Sequence, residues 1–137
     1  MTELPSAAPS LLARLFMALD AHDYDTLGHC FAPEGSWLRQ GKTLSGREQI
    51  RKTLLDTKPA TRTTIHVVSN VCIDRQIAQS GTGRFYLTVY RHDSSSPPPY
   101  AVPTPRNLGL CQVDYVLTGS AWLIRHLQTG PYVFTSA

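Results

Sequence analysis

The chain has 137 residues, 42% of them hydrophobic and 17% charged, with a formal net charge of +3. That is enough apolar material for one domain with its own core, and it excludes disordered and fibrous classes. Lysines and arginines are scattered rather than clustered, which argues against a nucleic-acid partner, and no apolar run approaches the roughly 20 residues that cross a bilayer. Cys30, Cys72 and Cys111 are widely spaced and odd in number, unlike a disulfide framework or a zinc site. With an N-terminus that lacks a basic stretch and carries two prolines, the expected setting is cytoplasmic, without a signal peptide.

Residues 1–9 read as a loose tail and residues 10–137 as a single domain. Ser10 can cap a helix in which Leu12, Leu15, Phe16 and Leu19 form an apolar stripe. Asp20 lies about 40° past Phe16 around that helix, at the edge of the stripe. Asp23 caps a second short helix. A hairpin of residues 36–39 and 42–45 follows, and Ser45 with Glu48 has the spacing of a capping box for a third helix. After Pro59 the pattern is β throughout. One strand runs to Ile73, a turn falls at 74–76, and a second strand covers about 77–92. Residues 93–107 hold five prolines and three consecutive serines, too irregular for a strand. This loop reads as a tolerated insertion at a loop tip, the alternative being a lid that uses Tyr100 and Val102. Strands at 108–117 and 122–129 complete the chain. The order predicts an α+β fold with helices packed on one face of a curved antiparallel sheet.

His66 stands in the middle of a strand, far from any turn. Strict alternation puts Ile65, Val67, Val71 and Ile73 on one face, and Thr64, His66, Val68, Asn70 and Cys72 on the other. A mixed face of this kind meets solvent or lines a pocket.

Four stretches together resemble the SnoaL-like branch of the nuclear-transport-factor-two-like superfamily. They are ALDAHDYDTLGHCFAPEGSW (18–37), LSGREQIRKTL (44–54), IHVVSN (65–70) and VDYVLTGSAWLI (113–124). The resemblance implies a cone: a bent sheet wrapped around helices, with a pocket at the open end. Relatives include ketosteroid isomerases, polyketide cyclases, epoxide hydrolases, scytalone-type dehydratases and non-catalytic dioxygenase subunits, so fold alone does not fix the chemistry. In the dehydratases an aspartate at the end of the first helix meets a histidine on the first long strand, and Asp20 and His66 match those positions. The tyrosine that precedes that aspartate is here Leu19, leaving Tyr24 or Tyr86 to take its place.

His66 has two readings, a histidine satisfied within the scaffold or a pocket-lining acid/base. Asp114 interrupts an apolar strand and is either an inward acid or the partner of Arg84 or Arg125. Arg84 and Tyr86 share one face of their strand, as ligand contacts or as ordinary cross-strand pairs. Trp37 and Trp122 read first as core, with Trp37 also a candidate pocket wall beside Asn70. No histidine spacing suggests a metal, and no phosphate-binding or nucleophile motif is present. The expected function is cofactor-independent proton transfer on a small apolar carbonyl or hydroxyl compound. His66 is then the acid or base, Asp20 orients it, and Asp114 is a second-tier catalytic candidate. The alternative is a non-catalytic binding or scaffold protein. The apolar face carrying Ile65, Val67, Val71 and Ile73 is expected on the outside, covered by a second copy of the chain.

Overall fold

Among residues 3–57 and 59–136, which the computed structural model describes, there are three helices and seven strands. In chain order they are α1 (Leu4–Asp20), α2 (Tyr24–His29), β1 (Phe31–Arg39), β2 (Lys42–Ser45), α3 (Arg47–Thr57), β3 (Arg62–Ile77), β4 (Ser80–Asp93), β5 (Asn107–Thr118), β6 (Ala121–Thr129) and β7 (Tyr132–Thr135). The strands form one sheet in the order β2-β1-β6-β5-β4-β3, with β7 paired to β5. The pairing is antiparallel except between β1 and β6. This is the α+β fold expected from the element order and the cone implied by the resemblance, its helices held against the concave face.

Helix α1 starts at Leu4, so residues 4–9 are not a tail. Pro5 sits in the first turn, where no backbone N–H is needed. Pro9 lies inside the helix and lacks its donor, but Leu4 and Ala8 are fully buried on the face that continues through Leu11, Leu15 and Leu19. Burial of that first turn outweighs one missing hydrogen bond. Gly81 on β4 lies so close under Leu4 that a Cβ there would collide with the leucine side chain. The N-terminal end of α1 therefore plugs one end of the cone.

Two local features depart from the sequence reading. Residues 74–76 are not a turn, because Asp74 accepts two hydrogen bonds of 2.8 Å from the Arg84 guanidinium and the β3–β4 ladder continues to Ile77. The reversal comes at Ala78 and Gln79, with Ala78 in the left-handed region at φ 52°. The second departure is a β-bulge between Ser69 and Cys72, with Asn70 at φ 54°. It inserts one residue and switches the faces of the side chains that follow it, up to a second shift between Ile73 and Arg75. Ile65 and Val67 stay exposed outside, as expected, but Val71 and Ile73 turn inward against the core. Asn70 and Cys72 are turned out.

Asp23 caps α2 as expected, accepting from the Thr26 N–H at 3.2 Å. At α3 the expected capping box is not formed: Gln49 takes the Ser45 N–H, and Glu48 pairs with Arg51. β7 was not legible as a strand. The proline-rich loop folds on itself. Tyr100 stacks on His92 at 4.3 Å and its hydroxyl donates to the Ser96 carbonyl, while Val102 is 95% exposed.

Candidate active site

Strand polarity collects one set of strand ends at the open end of the cone. The C-terminal ends of β1, β4 and β6 and the N-terminal ends of β2, β3 and β5 lie there, with β7 beside them. A cavity of about 870 Å³ fills this end, within the range of small-molecule sites. Phe16, Leu19 and Leu54 from the helices and Trp37, Leu87 and Cys111 from the sheet make its apolar walls.

His66 lines this cavity, and Asp20 stands behind it. Asp20 is the last residue of α1, where the helix dipole disfavours a carboxylate. Three donors offset that cost. The Thr64 hydroxyl donates to Oδ1 at 3.2 Å, the His66 backbone N–H donates to Oδ2 at 2.8 Å, and His66 Nδ1 lies 2.6 Å from Oδ1. β3 is the edge strand of the sheet, so the His66 N–H has no neighbouring strand on that side; the helix-end carboxylate takes it. The two side chains are 12% and 13% exposed, and Phe16 stacks on the imidazole with ring centroids 5.3 Å apart. The ring is thus fixed on one side by the carboxylate and on one face by an aromatic ring.

This geometry assigns the tautomer. A carboxylate accepts and does not donate, so Nδ1 carries the proton and the neutral ring keeps a bare Nε2. Nε2 has no hydrogen-bond partner among the described residues. It can accept a proton from a group held in the cavity and return it.

The other sequence candidates fall in different places. Trp37 is a cavity wall, its Nε1–H donating to Thr129 Oγ1 at 3.0 Å. Tyr24 is buried beside His22 rather than on the wall, and burial raises its pKa. Asp114, Arg84, Tyr86 and Asn70 all face outward and do not meet His66. The reason is the same pleat for the first three: Phe85, Leu87, Val113 and Tyr115 take the inside, so their neighbours take the outside. Asn70 is turned out by the bulge. Arg84 is held by Asp74, and Asp114 makes no ion pair among the described residues.

Sequence reasoning missed the cavity's cations. Arg39, Lys42, Arg62, Arg91 and Arg106 all line it. Their signal was present as a basic residue at five strand ends, but only the topology brings those ends together. No group of three or more His, Cys, Asp or Glu placed to hold a metal occurs among the described residues. No helix among them is long and apolar enough to cross a membrane.

The profile of the SnoaL-like domain matches residues 6–128. No curated protein matches. Solved structures share the fold at low identity. A protein of unknown function with a cystatin-like fold from Nostoc punctiforme superposes with TM-score 0.75 at 22% identity, covering 95% of this chain and 92% of that one. A protein from Catenulispora acidiphila, in complex with S-DNPA, gives TM-score 0.75 at 19% identity over 92% of each chain. A scytalone dehydratase-like protein from Novosphingobium aromaticivorans gives 0.74 at 18% identity, covering 96% and 85%.

Proposed function

The chain belongs to the SnoaL-like domain family, and from that premise we propose that its cavity binds a small, largely apolar carbonyl or hydroxyl compound on which His66 transfers a proton without a cofactor. The observation that carries this reading is the 2.6 Å contact between Asp20 Oδ1 and His66 Nδ1 at the wall of the cavity. Asp20 fixes the tautomer and stabilises the imidazolium formed when Nε2 accepts a substrate proton. Phe16, stacked on the imidazole, shields that face of the ring from water. The outcome is an isomerase-, cyclase- or dehydratase-like reaction, in keeping with a family that includes all three. The complex of the Catenulispora acidiphila protein with S-DNPA is a precedent for a bound compound in this fold.

The test uses 2-tetralone, a cyclic ketone with acidic α-hydrogens, in D₂O. Exchange of its α-protons followed by NMR should be accelerated by the native protein. In His66→Ala the acceleration should fall by about 10²-fold or more, the usual contribution of a positioned acid/base. Binding of the ketone without any exchange beyond buffer would overturn the catalytic reading in favour of a non-catalytic binding protein.

The remaining proposals concern its setting. We place a second copy of the chain on the outer sheet face, where Ile65, Val67 and Tyr86 are exposed on the adjacent, paired strands β3 and β4. The free thiols Cys30, Cys72 and Cys111 suit a cytoplasmic location. Sedimentation of Val67→Lys beside the native protein tests the dimer; a native monomer would refute it.

A further inference from the structure

The five cations of the cavity are not equivalent. Arg62 and Arg91 both pair with Asp93, at 3.0 and 2.9 Å. Arg39, Lys42 and Arg106 have no ion pair among the described residues. Asp93 is thus engaged by two of the cations, and Asp20 is engaged by Thr64 and His66. The Arg39 guanidinium lies over the Trp37 ring, 4.9 Å from its centroid, and burial pushes its pKa down from the ordinary arginine value. An arginine stays charged at any physiological pH, and a desolvated guanidinium without an anion is costly. An apolar cavity for an uncharged ligand does not need three cations that no carboxylate among the described residues pairs with, whereas an entering anion would pair with them.

Resting on the reading that this cavity is a ligand site, we propose that its ligand is an oxyanion with a ring-bearing apolar body, the acidic group held by Arg39 and Arg106 at the open end and the body lying toward His66. The planar guanidinium matches a carboxylate or a phosphate in a two-bond fork. The spacing sets the size. The Arg106 N–H donates to the Val89 carbonyl at 2.7 Å, and Val89 pairs directly with His66. Arg106 and His66 thus stand on backbones about two strand spacings apart, roughly 10 Å. A body of one or two fused rings spans that distance.

Isothermal titration calorimetry of the native protein tests this with three probes that share one body: naphthalene-2-carboxylate, 2-naphthyl phosphate and the neutral 2-naphthylmethanol. At least one anion should bind about tenfold tighter than the alcohol, the effect of a single charge-assisted hydrogen bond. That preference should shrink with added NaCl and in Arg39→Met and Arg106→Met, while His66→Ala keeps it. The tighter anion identifies the acidic group. Equal affinity for all three probes, no saturable binding of any, or a preference that survives in both arginine variants would overturn the proposal. Loss of α-proton exchange in His66→Ala with the anion preference intact separates this result from the fate of the proton-transfer reading. Should either arginine variant misfold, the salt dependence in the native protein decides alone: a preference insensitive to NaCl overturns it.

Discussion

At one end of the cone Leu4, Leu12, Phe85 and Tyr115 are buried with almost no exposed surface. At the other, the same β3, β4 and β5 turn Thr64, His66, Arg91 and Cys111 toward a cavity of about 870 Å³. On β4 and β5 the inward rows are continuous and the pleat is the same. What differs is the cover. Helix α1 lies over the closed end and stops at Asp20, opposite the row of Thr64 and His66. Beyond that point the inward residues include arginines, which do not collapse into a core. The site exists where the helix ends and the charges begin, so stability and chemistry are separated along one sheet.

That separation can be broken by substitution. Leu12 is fully buried on α1, two turns before Asp20. Leu12→Ala should cost about 2–5 kcal/mol, the range for deleting a buried leucine side chain. Arg106→Ala at the cavity rim should stay within about 0.5 kcal/mol. Urea unfolding of the two variants measures both, and comparable losses would mean that the open end is as tightly packed as the closed one.

A thiol on the sheet side of the cavity sharpens the contrast through pH. Burial pushes the Cys30 and Cys111 thiols up to about 11. A folded pKa above the unfolded value near 9 means a contribution that is complete below pH 9 and lost as the pH rises toward 11. Unfolding free energy should therefore fall between pH 8 and pH 10.5. Cys111→Ala should remove about 2 kcal/mol of that fall. Equal slopes would show that water reaches Cys111 from the cavity.

The smallest effect concerns the bulge that sorts β3 into its two faces. Asn70 holds φ 54°, a conformation glycine adopts freely and a β-branched residue resists. Asn70→Gly should be near neutral, and Asn70→Val should lose about 1–2 kcal/mol by thermal or urea unfolding. A tolerated valine would argue for unbroken alternation, with Val71 and Ile73 outside.

Much of this fold was legible because periodicity and caps are local signals. The α1 stripe, the Asp23 cap and strands β3 to β6 follow from spacing. The pairing of Asp20 with His66 came from the resemblance, since nothing in local spacing relates residues 46 positions apart. The misplacements have definite causes. Pro5 and Pro9 hid the first turn of α1, because burial of Leu4 is a tertiary effect. The bulge at Asn70 reversed the faces of Val71 and Ile73, since no residue pattern marks one inserted position. Asp114, Arg84 and Tyr86 stayed open between pocket and outer face because a strand's two faces can be separated in sequence without showing which is inside. The cationic rim stayed invisible for a related reason: Arg39 and Arg106 are 67 positions apart and become neighbours of one cavity only through the sheet order.

The central claim is that Asp20 fixes His66 with its free nitrogen toward the cavity. A long-range ¹H–¹⁵N correlation spectrum of ¹⁵N-histidine-labelled protein, recorded where the ring is neutral, reads this directly. His66 should show a protonated Nδ1 and a bare Nε2, as the contact of 2.6 Å with Asp20 Oδ1 requires. A His66 ring protonated on Nε2, with Nδ1 bare, would contradict it.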